Sequence, residues 1–541
     1  MLERSRKGVV VLATVGTLLG STLFLVQNQA SSTPVAAGIP GATHTGRVSP
    51  HVVRGAVRNA PVVPTRAQAQ AHNKAMAEYN ALKAPASPKH TTKADVSASN
   101  PGPQTKVTGP PPQTYTPTAF TVLKKIIIPS ECVTDCGQST VNEPSVASAG
   151  KTTMEASNWD IAYSQNNGST WKYQDPYTLF GSGYCCDSEI RYDANRDNFF
   201  WSGTYALGNG NTSNRIVIAA ARSASPTNWC SYTFYPNAFG GALGDTMDYP
   251  KITLGNNDLY VTWNEYNSAG NWYQTGLARI DLNAMAACQS LGFTYLNRTD
   301  VFTFDMAGNS GPKDTFYWTA NWYISGGTSG SQMTIYTWAE NSGTYFANQR
   351  SINAYNFSIA PCPWCGRLDP RSVSVAISHG GEFRGFGDDF LEAAIDAGPS
   401  TFDAYNYVVY EYFQLHSLTY EGNDQTYSTT SDFGYPSCAS NTEGYIGCAM
   451  VDGAATTDAP GGFILLQDNT SPTQPWNYDY VVPGNKSNQS WGDYVVVNPV
   501  QPAPGPFETV LWKLSATAVI PYYVVWGRGH DAAGYYRWDL K

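Results

Sequence analysis

Ser164-Gln-Asn-Asn-Gly-Ser-Thr-Trp171 lies between two runs rich in apolar and aromatic residues, Trp159–Tyr163 before it and Lys172 onward after it. A short polar stretch with a central Gly between two such runs reads as the turn of a β-hairpin. Outward from this turn the same texture continues from Ala119 to the end of the chain. Short β-branched and aromatic runs recur, each bounded by Gly, Asn, Asp, Ser or Pro. Examples are Val122–Ile128, Asn214–Ala221, Asp258–Tyr266, Gln332–Trp338, Tyr405–Tyr412, Phe463–Gln467 and Thr509–Leu514. Such lengths and boundaries belong to strands and not to helices. An all-β region of about 420 residues is too large for one sandwich, and repetition is the usual way to build it.

A repeat is present. An acidic residue opens a short apolar strand at Glu143-Pro-Ser-Val, Asp187-Ser-Glu-Ile, Asp248-Tyr-Pro-Lys-Ile, Asp369-Pro-Arg-Ser-Val and Asp493-Tyr-Val-Val, with looser copies at Asp314 and Glu443. These seven starts predict an all-β fold, a seven-bladed β-propeller over 119–541, with Phe120–Ile128 pairing on the last blade to close the ring. Dropping the weakest copy, at Asp314, leaves six blades.

The turn at 164–171 resembles the Asp-box, Ser-x-Asp-x-Gly-x-Thr-Trp, of secreted sialidase-like propellers built from bacterial neuraminidase repeats, with Asn166 in the place of the Asp. Ser223-Ala-Ser-Pro-Thr-Asn-Trp229 and Asp468–Trp476 are degenerate copies. The resemblance implies that the Gly takes a positive φ, that the third residue binds turn amides and that the Trp packs under the next strand. In that family the box is structural, so it speaks for the fold and says little of the chemistry. The family's early Arg-Ile-Pro motif is missing, and only Arg191 and Arg371 fall near acidic strand starts. A true sialidase, which uses three arginines, is therefore not expected. No Gly-x-Ser-x-Gly elbow, His-Glu-x-x-His or nucleotide-binding Gly loop occurs either.

In a propeller the innermost strands line a central channel, so the residues opening them converge on one mouth. Asp187, Asp248, Asp369 and Asp493 are the candidate catalytic residues. Crowded carboxylates split their pKa values, as glycosidic hydrolysis requires. Arg191 and Arg371, two or four residues from an Asp, would share its strand face and keep it ionised. Tyr249, Trp263 and Trp491 are the candidate sugar-stacking residues. Two readings follow: a propeller that binds a glycan and hydrolyses it with paired carboxylates, or a non-catalytic adhesion or scaffolding propeller with a cell-surface ligand. No cofactor is required. Calcium is the one ion that a ring of acids would suit, and no metal site is assigned.

Composition supports an exported, folded domain. Aromatic residues make up 13% of the 541 and charged residues 14%, which excludes a disordered chain or a coiled coil. Residues 1–118 carry twelve Lys and Arg against three Asp and Glu, and the rest carry 21 against 39. The acidic domain would repel a phosphate backbone, so nucleic acid is not a partner. Residues 1–37 read as a signal peptide, cleaved after Ala37, or as an uncleaved anchor that would tie the chain to a membrane. Residues 38–118, rich in Ala, Pro, Ser and Thr, read as a flexible linker with a marginal helix over Arg66–Ala84. The ten cysteines, all beyond residue 130, predict disulfides. Cys185 and Cys186 are expected to have different partners because bonding neighbours strains the backbone. A secreted or surface-displayed monomer is expected.

Overall fold

A computed structural model describes residues 39–61, 70, 81–82 and 104–107. It also describes 120–527 apart from 130–142, 207–213, 308–314, 322–329, 363, 365–367, 370, 372, 379–388, 401–402, 442–443, 454–459, 468–475, 485–493, 502–504 and 515–518. The expected signal or anchor and most of the expected helix at Arg66–Ala84 lie outside these residues.

The fold is a seven-bladed β-propeller. Each blade is an antiparallel sheet whose strands run outward in chain order. The inner strands are Ser145–Ala149, Tyr184–Asp193, Thr246–Leu254, Asp305–Met306, Val373–Ser378, Asp432–Ser440 and Val497–Pro499, for blades one to seven. Two expected starts are displaced. Blade four begins at Asp305 and blade six at Asp432, while the runs after Asp314 and Glu443 are their second strands, Thr315–Ala320 and Ile446–Gly453. The true repeat in blade six, Gly434-Tyr-Pro-Ser437, has Gly where the motif has an acid, which hid it.

Every blade buries both faces, because its neighbours pack on them. One core layer joins Trp171 and Tyr173 of blade one to Val510 and Tyr523 of blade seven. Another joins Phe390 and Tyr410 of blade five to Phe433 and Phe463 of blade six. Burial on both sides explains the near-continuous apolar runs in place of a clean alternation. Thr121–Ile127 pairs antiparallel with Val519–Gly527 and closes the ring, as expected.

The N-terminal region departs from the linker reading. Ile39–Ala42, His44–Val48 and His51–Arg54 add fifth strands to blades four, three and two in turn, and Arg58 bridges to Tyr173 of blade one. Gln104–Val107 pairs in parallel on blade five. This belt runs around the rim against the order of the blades. It is held by backbone pairing on open sheet edges, and in His44–Val48 and His51–Arg54 the side chains are exposed or half-buried. Its glycines are needed where rings lie on the backbone. A Cβ on Gly41 would fall 2.0 Å from Tyr345 Cζ, and one on Gly46 2.3 Å from Phe293 Cζ.

The turn at 164–171 is built as the resemblance implies. Asn166 Oδ1 accepts from Ser164 Oγ and from the Thr170 N–H, both at 2.9 Å, and the Gly168 N–H donates to Ser164 Oγ at 2.8 Å. Gly168 has φ 79°. Trp171 is buried, with its ring edge-on to Tyr523 at 6.3 Å.

The described cysteines are all in disulfides. Cys230 pairs with Cys288 and Cys438 with Cys448. Cys185 bonds Cys186, against expectation. The inner strand of blade two is irregular there, with register shifts on both sides of Cys186 and Asp187 at φ 54°. The adjoining side chains are therefore not held on opposite faces, as a regular strand would hold them.

Candidate functional site: the central cavity

Five inner strands carry the same backbone device, shortly before the strand or a few residues into it. Glu143, Asp187, Tyr249, Thr303 and Tyr435 all have positive φ, between 46° and 61°. For a non-glycine residue that conformation costs about 1–2 kcal/mol, so the surrounding packing must enforce it. It kinks the chain and turns the opening residue off the strand direction. Two residues later stand Ser145, Glu189, Lys251, Asp305 and Ser437. Arg371 and Val496 hold the same place after Asp369 and Tyr494. This ring adds Glu189, Lys251 and Arg371 to the opening acids Asp248 and Asp369 at the cavity.

Of these residues, Glu189, Lys251, Arg371, Ser437 and Val496 line a cavity of about 370 Å³, within the range of small-ligand sites. Glu189, Arg191, Asp248, Lys251, Asp369 and Arg371 give it its charges, and Asp396 lies in the wall. Tyr249, Tyr266, Phe302, Tyr435 and Tyr494 supply aromatic surface.

The charges alternate in sign. Arg191 Nη2 lies 3.3 Å from Glu189 Oε2, Lys251 Nζ 2.8 Å from Asp305 Oδ1, and Arg371 Nη2 2.7 Å from Asp369 Oδ2. Some of this machinery joins blades. Glu189 Oε2 accepts from the Ile252 N–H at 2.8 Å, and Arg191 donates to Ile252 O at 3.0 Å and to Asn498 Oδ1 at 2.6 Å. Burial works against the Lys251 charge, but Asp305 and the nearby acids outweigh it and hold the ammonium charged, with Asp305 as counter-ion. Lys251 Nζ also lies 4.6 Å from the Tyr249 ring centre, and the Arg371 guanidinium 4.4 Å from that of Phe302. Calcium needs six or more converging oxygens. Here Glu189, Asp305 and Asp369 each face a cation, and they do not fit that ion.

Of the sequence candidates, the cavity brings together Asp248, Asp369, Arg191, Arg371 and Tyr249. Asp187 is buried at its positive-φ turn, where its N–H donates to Asn158 Oδ1 at 3.2 Å, and it is not among the described lining residues. The cation of Arg191 goes to Glu189 and not to Asp187, because the kink breaks the two- and four-residue spacing of a regular strand. Trp263 is a core residue, 1% exposed, with Phe239 at 4.1 Å between ring centres and its Nε1–H donating to Glu265. Trp491 and Asp493 lie outside the described residues.

Sequence reasoning missed Lys251 and Asp396. Lys251 stands beside the opening acid in Asp248-Tyr-Pro-Lys251, where a repeat of acidic starts does not single out a cation. Asp396 ends the apolar run Leu391-Glu-Ala-Ala-Ile-Asp396 on a second strand, Phe390–Ala397. A carboxyl in such a run signals either a buried partner or a site. Burial pushes Asp396 well above the carboxylate range; the Tyr435 N–H, at 2.9 Å, offsets part of this and the charge on Asp369 adds to it. Asp369, gripped by Arg371, thus stands beside a carboxyl that favours its proton.

No protein-family model matches the chain, and no curated protein matches it. Among solved structures it is similar to an α-L-arabinofuranosidase from Fusarium graminearum, at 13% identity over 75% of this chain and 97% of that one, with a TM-score of 0.36. It is similar to the Trypanosoma rangeli sialidase in complex with sialic acid at 10% identity over 68% of this chain and 57% of that one, TM-score 0.36. An endo-arabinase from Bacteroides thetaiotaomicron follows at 12% identity over 65% and 95% respectively, TM-score 0.26. No residue role is carried over from them.

Proposed function

We propose that the central cavity binds a glycan and that the propeller hydrolyses it, with Asp396 as the protonated carboxyl and Asp369 as the second carboxyl of the pair. The observation that carries this reading is the lining itself. Aromatic rings stand next to alternating, paired charges, which suits a ligand with apolar ring faces and many hydroxyls. Both signs are present, so a bare polyanion or polycation is a poor match. Asp396 and Asp369 supply the acid and base that glycosidic cleavage asks for. The disulfides favour display outside the cytoplasm, as a secreted or surface-held monomer behind the export segment.

A glycan array followed by a panel of chromogenic glycosides tests this, with wild type and Asp396→Asn side by side. Wild type is expected to retain a glycan and release chromophore, and Asp396→Asn to retain the glycan without release. Retention without release by both proteins supports the rival reading, a non-catalytic adhesion propeller. Failure of wild type to retain any glycan overturns the proposal.

A further inference from the structure

Ten tryptophans among the described residues are at most 7% exposed, from Trp159 in blade one to Trp526 in blade seven. Trp272 is the exception and is only half-buried. A chain that otherwise puts its indoles into the core leaves this one at the surface and forgoes part of its burial energy. The polar end of the side chain does not explain this. A half-exposed Trp usually keeps its N–H in water and its ring inside. Here the Nε1–H donates inward, to Oγ1 of the buried Thr275 at 3.3 Å. What is left for solvent is ring carbon.

The place of this ring is fixed by its strand. Trp272 opens the third strand of blade three, Trp272–Asp281, and pairs with Tyr266 at the end of the second, Asp258–Tyr266. Tyr266 in turn pairs with Thr246, where the inner strand begins, so all three stand at the mouth end of the blade. Phe302 lies edge-on to the indole, with 5.8 Å between ring centres. Tyr266 and Phe302 both line the cavity. Trp272 is therefore one ring outward from the aromatic part of its wall. The turn that delivers it is preorganised. Asn267 Oδ1 accepts from the Ala269 N–H at 3.0 Å and from the Asn271 N–H at 3.1 Å, and Gly270 supplies the positive φ, 74°. A fixed apolar ring beside a polar cavity suits the face of a sugar.

We propose that Trp272 is the stacking platform of a second sugar subsite, immediately outside the cavity. The ligand is then an oligosaccharide, with its terminal sugar in the cavity and the next one on Trp272. This rests on the cavity being the glycan site, and the two readings fail in different ways.

The experiment titrates two probes into the full chain by calorimetry: the glycan selected by the array and the methyl glycoside of its terminal sugar. Wild type, Trp272→Ala and Trp272→Phe are compared, each checked for cooperative unfolding. Trp272→Ala is expected to raise the Kd of the glycan about tenfold and to leave that of the methyl glycoside unchanged. Trp272→Phe, which keeps an aromatic face, should raise it less. An unchanged glycan Kd in both variants overturns the subsite and leaves the cavity reading standing. An equal loss on both probes overturns it too, because Trp272 would then act by holding Phe302 in the wall. So does a methyl glycoside that wild type binds as tightly as the whole glycan. If wild type retains no glycan, the cavity reading falls and the subsite with it.

Discussion

At the seam where blade seven meets blade one, Glu508 is fully buried, with Ser148 Oγ at 2.5 Å and Tyr523 Oη at 2.9 Å. At the mouth of the channel, Asp305 is as deeply buried but has Lys251, and Asp369 has Arg371. Both regions hold carboxyls in low dielectric, and the partners make the difference. Hydroxyls leave Glu508 titratable: burial pushes it up to about 7, and the two hydroxyls and the charge of Lys124 only partly oppose this. Burial raises Asp305 as well, and there the charge and hydrogen bond of the Lys251 ammonium oppose the rise. The seam also resembles a Tyr–Glu catalytic pair in composition, but Tyr523 and Glu508 are both 0% exposed, so they lock the ring and meet no ligand. A perturbed carboxyl marks a site only where a cavity reaches it.

The largest effect should come from removing the cation at the mouth. Lys251→Met leaves Asp305 buried and uncompensated, and should lower the unfolding free energy by about 4 kcal/mol in urea titration. A loss under about 1 kcal/mol would place Asp305 with the seam carboxyl, as a group that simply takes up a proton.

Next comes the pH response of the seam. The folded-state pKa of Glu508, about 7, lies above its ordinary 4.5, so the folded state binds the extra proton between the two. The stability tied to this group is complete below about pH 4.5 and is lost as pH rises through about 7, to the extent of about 3 kcal/mol. Glu508→Gln should remove that slope. The difference between wild type and variant, measured from pH 4 to pH 8, therefore changes steadily. A flat difference contradicts the assignment.

The smallest effect concerns the hairpin turn. Asn166→Ala removes the acceptor for Ser164 and the Thr170 N–H and should cost about 1 kcal/mol. Asn166→Asp should be tolerated, because a carboxylate can accept the same two bonds. A loss for Asp as large as that for Ala would mean that the Asn166 amide, which donates to Thr170 Oγ1 at 2.9 Å, matters more than its oxygen.

The fold was legible because it depends on patterns that recur. Bounded apolar runs, a hairpin turn with Gly168 in place and acidic strand starts together led to seven blades. The site was less legible because its geometry depends on one dihedral angle. A positive φ at Asp187 exchanges that residue for Glu189, two places on, and nothing in the alternation of residues reveals that. Trp263 misled for another reason: an aromatic beside an acid reads alike in a core and in a sugar site, and only packing against Phe239 separates them. Asp396 stayed hidden because it lies on a second strand, and the belt because backbone pairing leaves no side-chain signature.

The most direct test of the central cavity as the ligand site is calorimetric titration of the array-selected glycan into wild type and Arg371→Met. Arg371 lies in the wall over Phe302 and pairs with Asp369, so its loss should disturb both the aromatic and the charged side of the site at once. The predicted result is a rise in Kd of about tenfold or more, with the cooperative unfolding of the propeller retained. An unchanged Kd in a folded Arg371→Met protein would contradict the placement of the site at the channel mouth.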